Sequence, residues 1–181
     1  MHYAYRWTKS CVDNLKNSEL IIFSSVQSHL KNENVFLFAN KLGRIHGILG
    51  CHVPCNRLID DLKTKQQCET LLSDCQLLVI PGGVKALEKL RQEVHVIDFI
   101  KEWSSRGKII ASTCHGAQLL ISAKVTKGRK ISGYYSIEDD IVNSGAEYSR
   151  DPVVVSDHIV SSPHYDNMGV WMKTAVEMAK S

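Results

Sequence analysis

The segment Ser112-Thr113-Cys114-His115-Gly116 has the residue types and spacing that best fit a chemical role. It lies between an apolar run, Lys108–Ser112, and a predicted helix, Gly116–Ala123. Small residues two positions before and after Cys114 allow the tight strand-to-helix turn of a nucleophile elbow, which projects its central side chain. The following helix N-terminus would stabilise a thiolate, and the backbone N–H of His115 would point towards an oxyanion. The alternative is a buried structural cysteine, but the strand–turn–helix setting favours a reactive thiol.

A second candidate feature is Pro81-Gly82-Gly83, which directly follows the apolar run Gln76–Ile80. In open α/β sheets, ligands bind beyond the carboxyl ends of the strands. Gly82 and Gly83 would let the backbone come close to a ligand, and their N–H groups could complete an oxyanion hole. The alternative is a plain strand-to-helix turn, and the nearby elbow favours a pocket.

Strand and helix patterns alternate around these two turns, which predicts an α/β fold with a three-layer α/β/α sandwich around a mostly parallel sheet. Strands are predicted at Asn34–Ala39, Gln76–Ile80, Lys108–Ser112, Val153–Val155 and Ile159–Ser161. Helices are predicted at Ser18–Lys31, Gln67–Ser73, Glu93–Arg106, Gly116–Ala123 and about Asp166–Lys180. Gly43–Val53, which glycines punctuate, is predicted to form a hairpin or a turn-rich excursion.

The N-terminal segment fits this fold least well. The fold requires an apolar strand before its first helix, and Tyr3–Trp7 is the only candidate for that strand. The sequence contains no internal repeat, low-complexity tract or linker. We therefore predict one domain over residues 1–181, with residues 1–18 as a divergent N-terminal segment.

Composition and charge argue against several classes of function. The net charge is +3, and the longest basic stretch, Lys124–Lys130, holds only four cations, which indicates a solvated turn rather than a nucleic-acid surface. No run reaches the roughly 18 to 20 apolar residues of a membrane span. Residues 1–18 lack the apolar run of a signal peptide, so we expect a cytoplasmic protein with six free cysteines. Cys51 and Cys55 do not have a common zinc-finger spacing, and no metal site is expected.

Taken together, these motifs resemble the DJ-1/ThiJ/PfpI superfamily, and most closely its PfpI-type intracellular protease/amidase branch. The resemblance covers about residues 19 to 181. Besides the two turns, the matching segments are Gly43–Gly47, Gly128–Lys130, Ser136–Asp140, Asn143–Glu147 and Val153–Val155. The resemblance implies a flavodoxin-like, glutamine amidotransferase-like fold and no cofactor. It also implies a small-molecule substrate and a homodimer or higher homo-oligomer.

The resemblance assigns roles to single residues. Glu19 matches a glutamate early in the family's first helix that hydrogen-bonds the thiolate, so Glu19, Cys114 and His115 form the expected catalytic set. Adjacent residues at a helix start point in different directions, so we expect His115 to act on the substrate rather than to deprotonate Cys114 directly. Tyr134 matches a pocket tyrosine. Glu88 matches a glutamate that approaches the histidine from a neighbouring subunit, although a solvated helix residue fits equally well.

Two segments depart from the family pattern. Tyr134-Tyr135 stands where the branch has Tyr-Pro, and Pro163-His164-Tyr165-Asp166 stands where it has an Arg-x-Pro-x-Asp-like stretch beside the pocket. Loss of that arginine predicts weaker binding of carboxylates and better binding of neutral or aromatic electrophiles. His164 and Tyr165 are then candidate pocket residues, and His164 could supply a proton.

The leading functional hypothesis is a cofactor-independent hydrolase or lyase in which Cys114 attacks a small electrophilic carbonyl compound. Three alternatives stay open: a redox-sensing or stress-protective protein without enzymatic activity, a peptidase or amidase, and an inactive scaffold. We further expect the pKa of the Cys114 thiol to lie below the free-thiol value of about 8.5.

Overall fold

The computed structural model describes residues 21–24, 35–46 and 52–181. Its strands are β1 (Ile21–Ser24), β2 (Val35–Ala39), β3 (Gly43–His46), β4 (His52–Cys55), β5 (Arg57–Leu58), β6 (Leu77–Ile80), β7 (Ile109–Thr113), β8 (Lys130–Ser132), β9 (Glu147–Ser149), β10 (Val154–Ser156) and β11 (Ile159–Ser162). Its α-helices are α1 (Lys65–Asp74), α2 (Val84–Leu90), α3 (Val94–Ser105), α4 (Ala117–Ser122), α5 (Glu138–Asn143) and α6 (Met168–Lys180). Short 3-10 helices cover Ile59–Lys63, Cys114–Gly116, Tyr135–Ile137 and Tyr165–Asn167.

Seven strands form the main sheet, in the order β10-β11-β7-β6-β1-β2-β5. The central strand β7 pairs in parallel with both β6 and β11, and β2 pairs in parallel with β5. The other three pairings are antiparallel. Ile80 lies opposite Ser112, and Ser162 lies opposite Thr113, so the carboxyl ends of β6, β7 and β11 meet at one edge. Both chemically distinctive turns begin at that edge.

Side chains of the central strands pack in two directions, because successive residues of a strand point to opposite faces of the sheet. Leu78 and Ile80 pack into a core formed with helices α1 to α5. Leu77 and Val79 pack on the other face against α6, whose Trp171 is fully buried. These three layers confirm the predicted α/β/α sandwich.

The helix predicted at residues 18–31 is wrong at Ile21–Ser24, which form β1 and pair with β2 and β6. Leu20–Phe23 is a run of four apolar residues, a pattern that suits a buried strand as well as a helix. Pairing with distant strands therefore decided the outcome. The remainder of that range, with Glu19, lies outside the described residues, as do Tyr3–Trp7 and the rest of the N-terminal segment.

The other predicted elements are confirmed, with ends that differ by no more than two residues. The predicted hairpin over Gly43–Val53 is the antiparallel pair β3–β4. Helices α2 and α5 and the parallel pair β8–β9 were not predicted, because segments of three to seven residues are too short for a clear periodic pattern. Within the described ranges, no helix has both the length and the apolar character that a membrane crossing requires.

Candidate functional site

Cys114 occupies the tight turn between β7 and α4. It begins the 3-10 helix Cys114–Gly116 and has a φ of +55°. Side chains rarely adopt this left-handed backbone conformation, which is tolerated where surrounding structure imposes it, often at functional sites. The structure thus contains the strand–turn–helix that the sequence predicts around this cysteine.

Two glycines make room for this turn. A Cβ atom on Gly116 would lie 2.6 Å from the carbonyl oxygen of Ile80 and 3.0 Å from Oγ of Ser112. A Cβ atom on Gly82 would lie 2.7 Å from Cβ and 3.1 Å from Sγ of Cys114. Both positions therefore need glycine because neighbouring chain segments approach them closely.

Two backbone N–H groups point at the sulfur. The N–H of His115 and the N–H of Gly83 both donate hydrogen bonds to Sγ of Cys114. Gly83 precedes α2 and has a φ of +116°, a conformation that favours glycine. The predicted oxyanion donors thus converge on the thiol, with Gly83 as the donor and Gly82 as the residue that permits close approach.

The thiol of Cys114 is half-buried, and this burial raises its pKa more than the two backbone hydrogen bonds lower it. The expected fall in pKa is therefore wrong for the surroundings that the structure describes. Burial also raises the pKa of the thiols of Cys55 and Cys68, and that of Cys75 to about 11. A neutral thiol at Cys114 has to lose its proton during any nucleophilic attack.

His115 is placed to accept that proton. Its Nδ1 atom lies 3.3 Å from Sγ of Cys114, and burial lowers the pKa of the imidazole, which keeps it neutral near pH 7. The expectation that these adjacent side chains point in different directions is wrong, and the role of His115 towards the thiol or the substrate stays a prediction. That expectation assumed regular helical geometry, from which the left-handed backbone at Cys114 departs.

Ser136 completes this group and was not identified from the sequence. Its Oγ lies 3.2 Å from Nε2 of His115. When Nε2 carries the imidazole proton, this N–H donates a hydrogen bond to Oγ of Ser136, and Nδ1 presents its lone pair to the thiol of Cys114. The two residues lie 21 positions apart, and only the fold brings them together.

A cavity of about 480 Å³ lies beside this group. The ring of Tyr134 lies between two imidazoles, with centroid distances of 5.0 Å to His115 and 5.9 Å to His164. Nδ1 of His164 lies 3.0 Å from a carboxylate oxygen of Asp166, which orients its ring. The lining residues are Tyr134, Tyr135, Tyr148, Arg150, Pro163 and His164.

The structure thus brings together Cys114, His115, Tyr134 and His164, and adds Ser136, Tyr148 and Arg150 to them. The side chain of Tyr165 and all of Glu19 lie outside the part of the chain that the structure describes. Glu88 is exposed on α2. Among the described residues, no group of three His, Cys, Asp or Glu side chains could hold a metal ion.

Alkylation of Cys114 by iodoacetamide is expected to accelerate with pH through neutrality and to level off only above about pH 8.5. Burial raises the pKa of the thiol, so fewer molecules carry a thiolate at a given pH, and the rate gains about tenfold per pH unit below that pKa. Peptide mapping by mass spectrometry measures the alkylation rate of Cys114, with the urea-unfolded chain as reference. A plateau below pH 7 would contradict this and point to a stabilising group outside the described residues, such as Glu19.

Ser136→Ala is expected to lower kcat/KM several-fold, because loss of one hydrogen bond costs about 1 kcal/mol. The acid limb of the pH–rate profile should also move to lower pH, since the imidazolium of His115 loses an acceptor for Nε2–H. Ser73→Ala removes an exposed hydroxyl on α1 and serves as the matched control. An unchanged acid limb would exclude Ser136 as a positioning residue.

Comparison with known proteins adds independent findings. The family model described as "DJ-1/PfpI family" matches residues 11–178. Deglycase PfpI of Pyrococcus furiosus is 34% identical over 153 residues, covering 83% of this chain and 87% of that protein. General stress protein 18 of Bacillus subtilis is 36% identical over 107 residues, covering 59% and 62%. The crystal structure of a ThiJ/PfpI domain protein from Brachyspira murdochii has the same fold, with a TM-score of 0.69, 17% identity and coverage of 79% and 78%.

Proposed function

Because this chain belongs to the DJ-1/PfpI family, we propose that it is a cofactor-independent, cysteine-dependent hydrolase or lyase that acts on a small electrophilic carbonyl compound. The observation that carries this proposal is the convergence of three groups on Sγ of Cys114: Nδ1 of His115 and the backbone N–H groups of His115 and Gly83. A nucleophile, a base and donors for an oxyanion are then in one place. The name of the Pyrococcus relative, a deglycase, supports carbonyl chemistry.

In the proposed first step, Sγ of Cys114 attacks the carbonyl carbon while the thiol proton passes to Nδ1 of His115. A carbon–sulfur bond forms, and the carbonyl π electrons move onto the oxygen. The N–H groups of Gly83 and His115 stabilise that oxyanion. The imidazolium then returns the proton to the oxygen or to the leaving group, and Ser136 accepts a hydrogen bond from Nε2–H throughout.

Glu19 keeps a place in this proposal through the family match. Its carboxyl would share a proton with the thiol of Cys114. Such a partner has a clear physical use here, because burial alone raises the thiol pKa. Replacement of Glu19 by glutamine would then slow the alkylation of Cys114 at neutral pH, and the alkylation assay described above measures it.

The aromatic lining of the cavity supports a small molecule as substrate. About 480 Å³ lies within the range of small-ligand pockets, and its aromatic lining matches their usual character. A peptidase is the less favoured alternative within the enzyme class, because one compact domain offers little groove for a peptide.

A substrate panel tests the proposal. It contains methylglyoxal, phenylglyoxal, their adducts with N-acetyl-lysine, small amides, an aryl isonitrile and an unstructured peptide. We expect turnover of at least one small electrophile by the wild-type protein, read as product by NMR. Absence of turnover across the small molecules would overturn the enzymatic proposal, and cleavage of the peptide alone would favour a peptidase.

A stress-protective or redox-sensing role is the second candidate, and the similarity to General stress protein 18 supports it. In that role the thiol of Cys114 would be oxidised by peroxide to sulfinate. The raised thiol pKa argues against fast oxidation, because the thiolate is the reactive form. Rapid formation of sulfinate at Cys114 under low peroxide, in a protein that turns over no substrate, would favour this candidate.

For assembly, we propose at least a homodimer in the cytoplasm, with Glu88 near the subunit interface. Glu88 is exposed on α2 and free to meet a second copy, and the described cysteines are free thiols, as a reducing compartment would keep them. Light scattering is expected to give a mass of at least twice 20.3 kDa. A monomer at micromolar concentration would refute this proposal and remove any role for Glu88.

A further inference from the structure

Arg150 is the one arginine among the residues that line the cavity beside Tyr134. It directly follows β9, and its side chain is 76% exposed. Three tyrosines form most of the remaining wall. The cavity thus combines aromatic surface with one permanent positive charge, a combination that suits a planar molecule with an anionic substituent.

The guanidinium of Arg150 is held in position from one side. Its Nη2 atom donates a 2.8 Å hydrogen bond to a carboxylate oxygen of Glu138, and Tyr148 also contacts it. These partners raise the pKa of Arg150 further, so its charge persists at every working pH. A guanidinium has five N–H donors, so a bond to Glu138 is compatible with binding a second carboxylate. An exposed ion pair of this kind is weak enough to share its arginine.

Glu138 offsets part of the charge of Arg150, but the guanidinium keeps N–H donors that Glu138 does not use. Asp151, the next residue, accepts hydrogen bonds from Ser149 and from Lys130, whose Nζ lies 3.4 Å away. Lys130 also lies 3.8 Å from Glu147, so it is shared between two carboxylates, and Glu138 is the carboxylate that contacts Arg150 directly. The loop after β11 lacks the family's arginine, as the sequence shows. Arg150 supplies an arginine to the pocket from the end of β9 instead, so the expected weak binding of carboxylates stays a prediction that the following proposal opposes.

We propose that Arg150 is the specificity-determining residue of this pocket and binds a carboxylate on an aromatic carbonyl substrate. The inference rests on the proposed function, because it assigns the substrate class of the same site. The ring of the substrate lies against the tyrosines, and its carboxylate meets the guanidinium of Arg150. Its carbonyl group extends past Tyr134, whose ring lies 5.0 Å from that of His115, towards the thiol of Cys114.

Alkylation of Cys114 by two matched reagents tests this inference without any turnover. Phenacyl bromide and 4-carboxyphenacyl bromide differ by one carboxylate, and each forms a carbon–sulfur bond as bromide leaves and the thiol proton is lost. The alkylation rate of Cys114 with each reagent is divided by the rate of the same reagent with free cysteine. The selectivity is this normalised rate for the carboxylated reagent divided by that for the neutral reagent. We expect Arg150→Gln to lower this selectivity about threefold to fivefold, because an exposed pair of a guanidinium and a carboxylate contributes up to about 1 kcal/mol.

The matched control is Arg106→Gln, which removes a surface arginine held by Glu69 and Glu102. Arg106→Gln should keep the wild-type selectivity, and Arg150→Lys should keep part of it because the positive charge remains. Circular dichroism checks that each variant is folded. Equal selectivity in the wild type and Arg150→Gln would overturn the inference.

The two proposals fail separately. If the selectivity depends on Arg150 but the protein turns over no substrate, the anion site is supported and the enzymatic function is refuted. If the protein turns over a substrate but the selectivity does not depend on Arg150, the proposed function is supported and the anion site is refuted.

Discussion

Replacement of Cys114 by serine is expected to lower kcat/KM at least about a thousandfold, as loss of a catalytic nucleophile does in other enzymes. A serine hydroxyl keeps its proton far more firmly than a thiol, and His115 with its lowered pKa is a weak base. The two N–H groups that bond Sγ would still be present, so oxyanion stabilisation alone would remain. Steady-state rates on the substrate found in the panel measure the effect.

The control for this variant is Cys68→Ser. Cys68 is a half-buried thiol on α1 that donates to the carbonyl oxygen of Leu62, away from the cavity. The Cys68→Ser variant should therefore keep wild-type turnover. If Cys114→Ser retained more than about a tenth of the wild-type rate, the thiol would not be the nucleophile, and the proposed function would fail at its first step.

Replacement of Gly82 by alanine is expected to reduce turnover about a hundredfold or more, because misplacement of a reacting group by about 1 Å can cost that much. The new Cβ would lie 3.1 Å from Sγ of Cys114 and only 2.7 Å from its Cβ, and real Cβ atoms essentially never show the shorter of these distances. Cys114 would have to move, and its sulfur would leave the N–H groups of Gly83 and His115. Turnover and the alkylation rate of Cys114 should fall together.

Gly128→Ala separates this effect from general destabilisation. Gly128 has a φ of +75° but nothing within 4 Å of an added Cβ, so alanine there should cost about 1 kcal/mol of unfolding free energy through backbone strain alone. We expect Gly128→Ala to be less stable in urea and fully active. Wild-type activity in a folded Gly82→Ala variant would mean that the sulfur is not held where the structure places it.

Among the described residues, the proposed catalytic pair is a neutral thiol beside a neutral imidazole. Burial raises the pKa of Cys114 and lowers that of His115, and both shifts disfavour the charged forms in the resting site. The ion pair then forms as the substrate is attacked, where the N–H groups of Gly83 and His115 stabilise the new negative charge. Turnover of the substrate, if the proposed function holds, should therefore be faster at pH 8 than at pH 6.

The sequence alone determined those parts of the site that are local in the chain. Small residues at 112 and 116, an apolar strand before Cys114 and a helix after it lie within a few positions of one another. A tight turn depends on such neighbours, so the elbow and the glycine turn at Gly82 could be recognised directly. The central strands β6 and β7 were equally clear, because strands buried on both faces are continuous apolar runs.

Only the tertiary structure decided which distant residues meet. Ser136 reaches His115 across 21 residues, and Arg150 enters a cavity that also contains His164, from a strand too short for sequence patterns to reveal. The sign of the pKa shift at Cys114 was also decided by the fold. Local features favoured a lowered pKa. The packing of the whole domain removes the sulfur from water, and this burial raises the pKa more than the two backbone hydrogen bonds lower it.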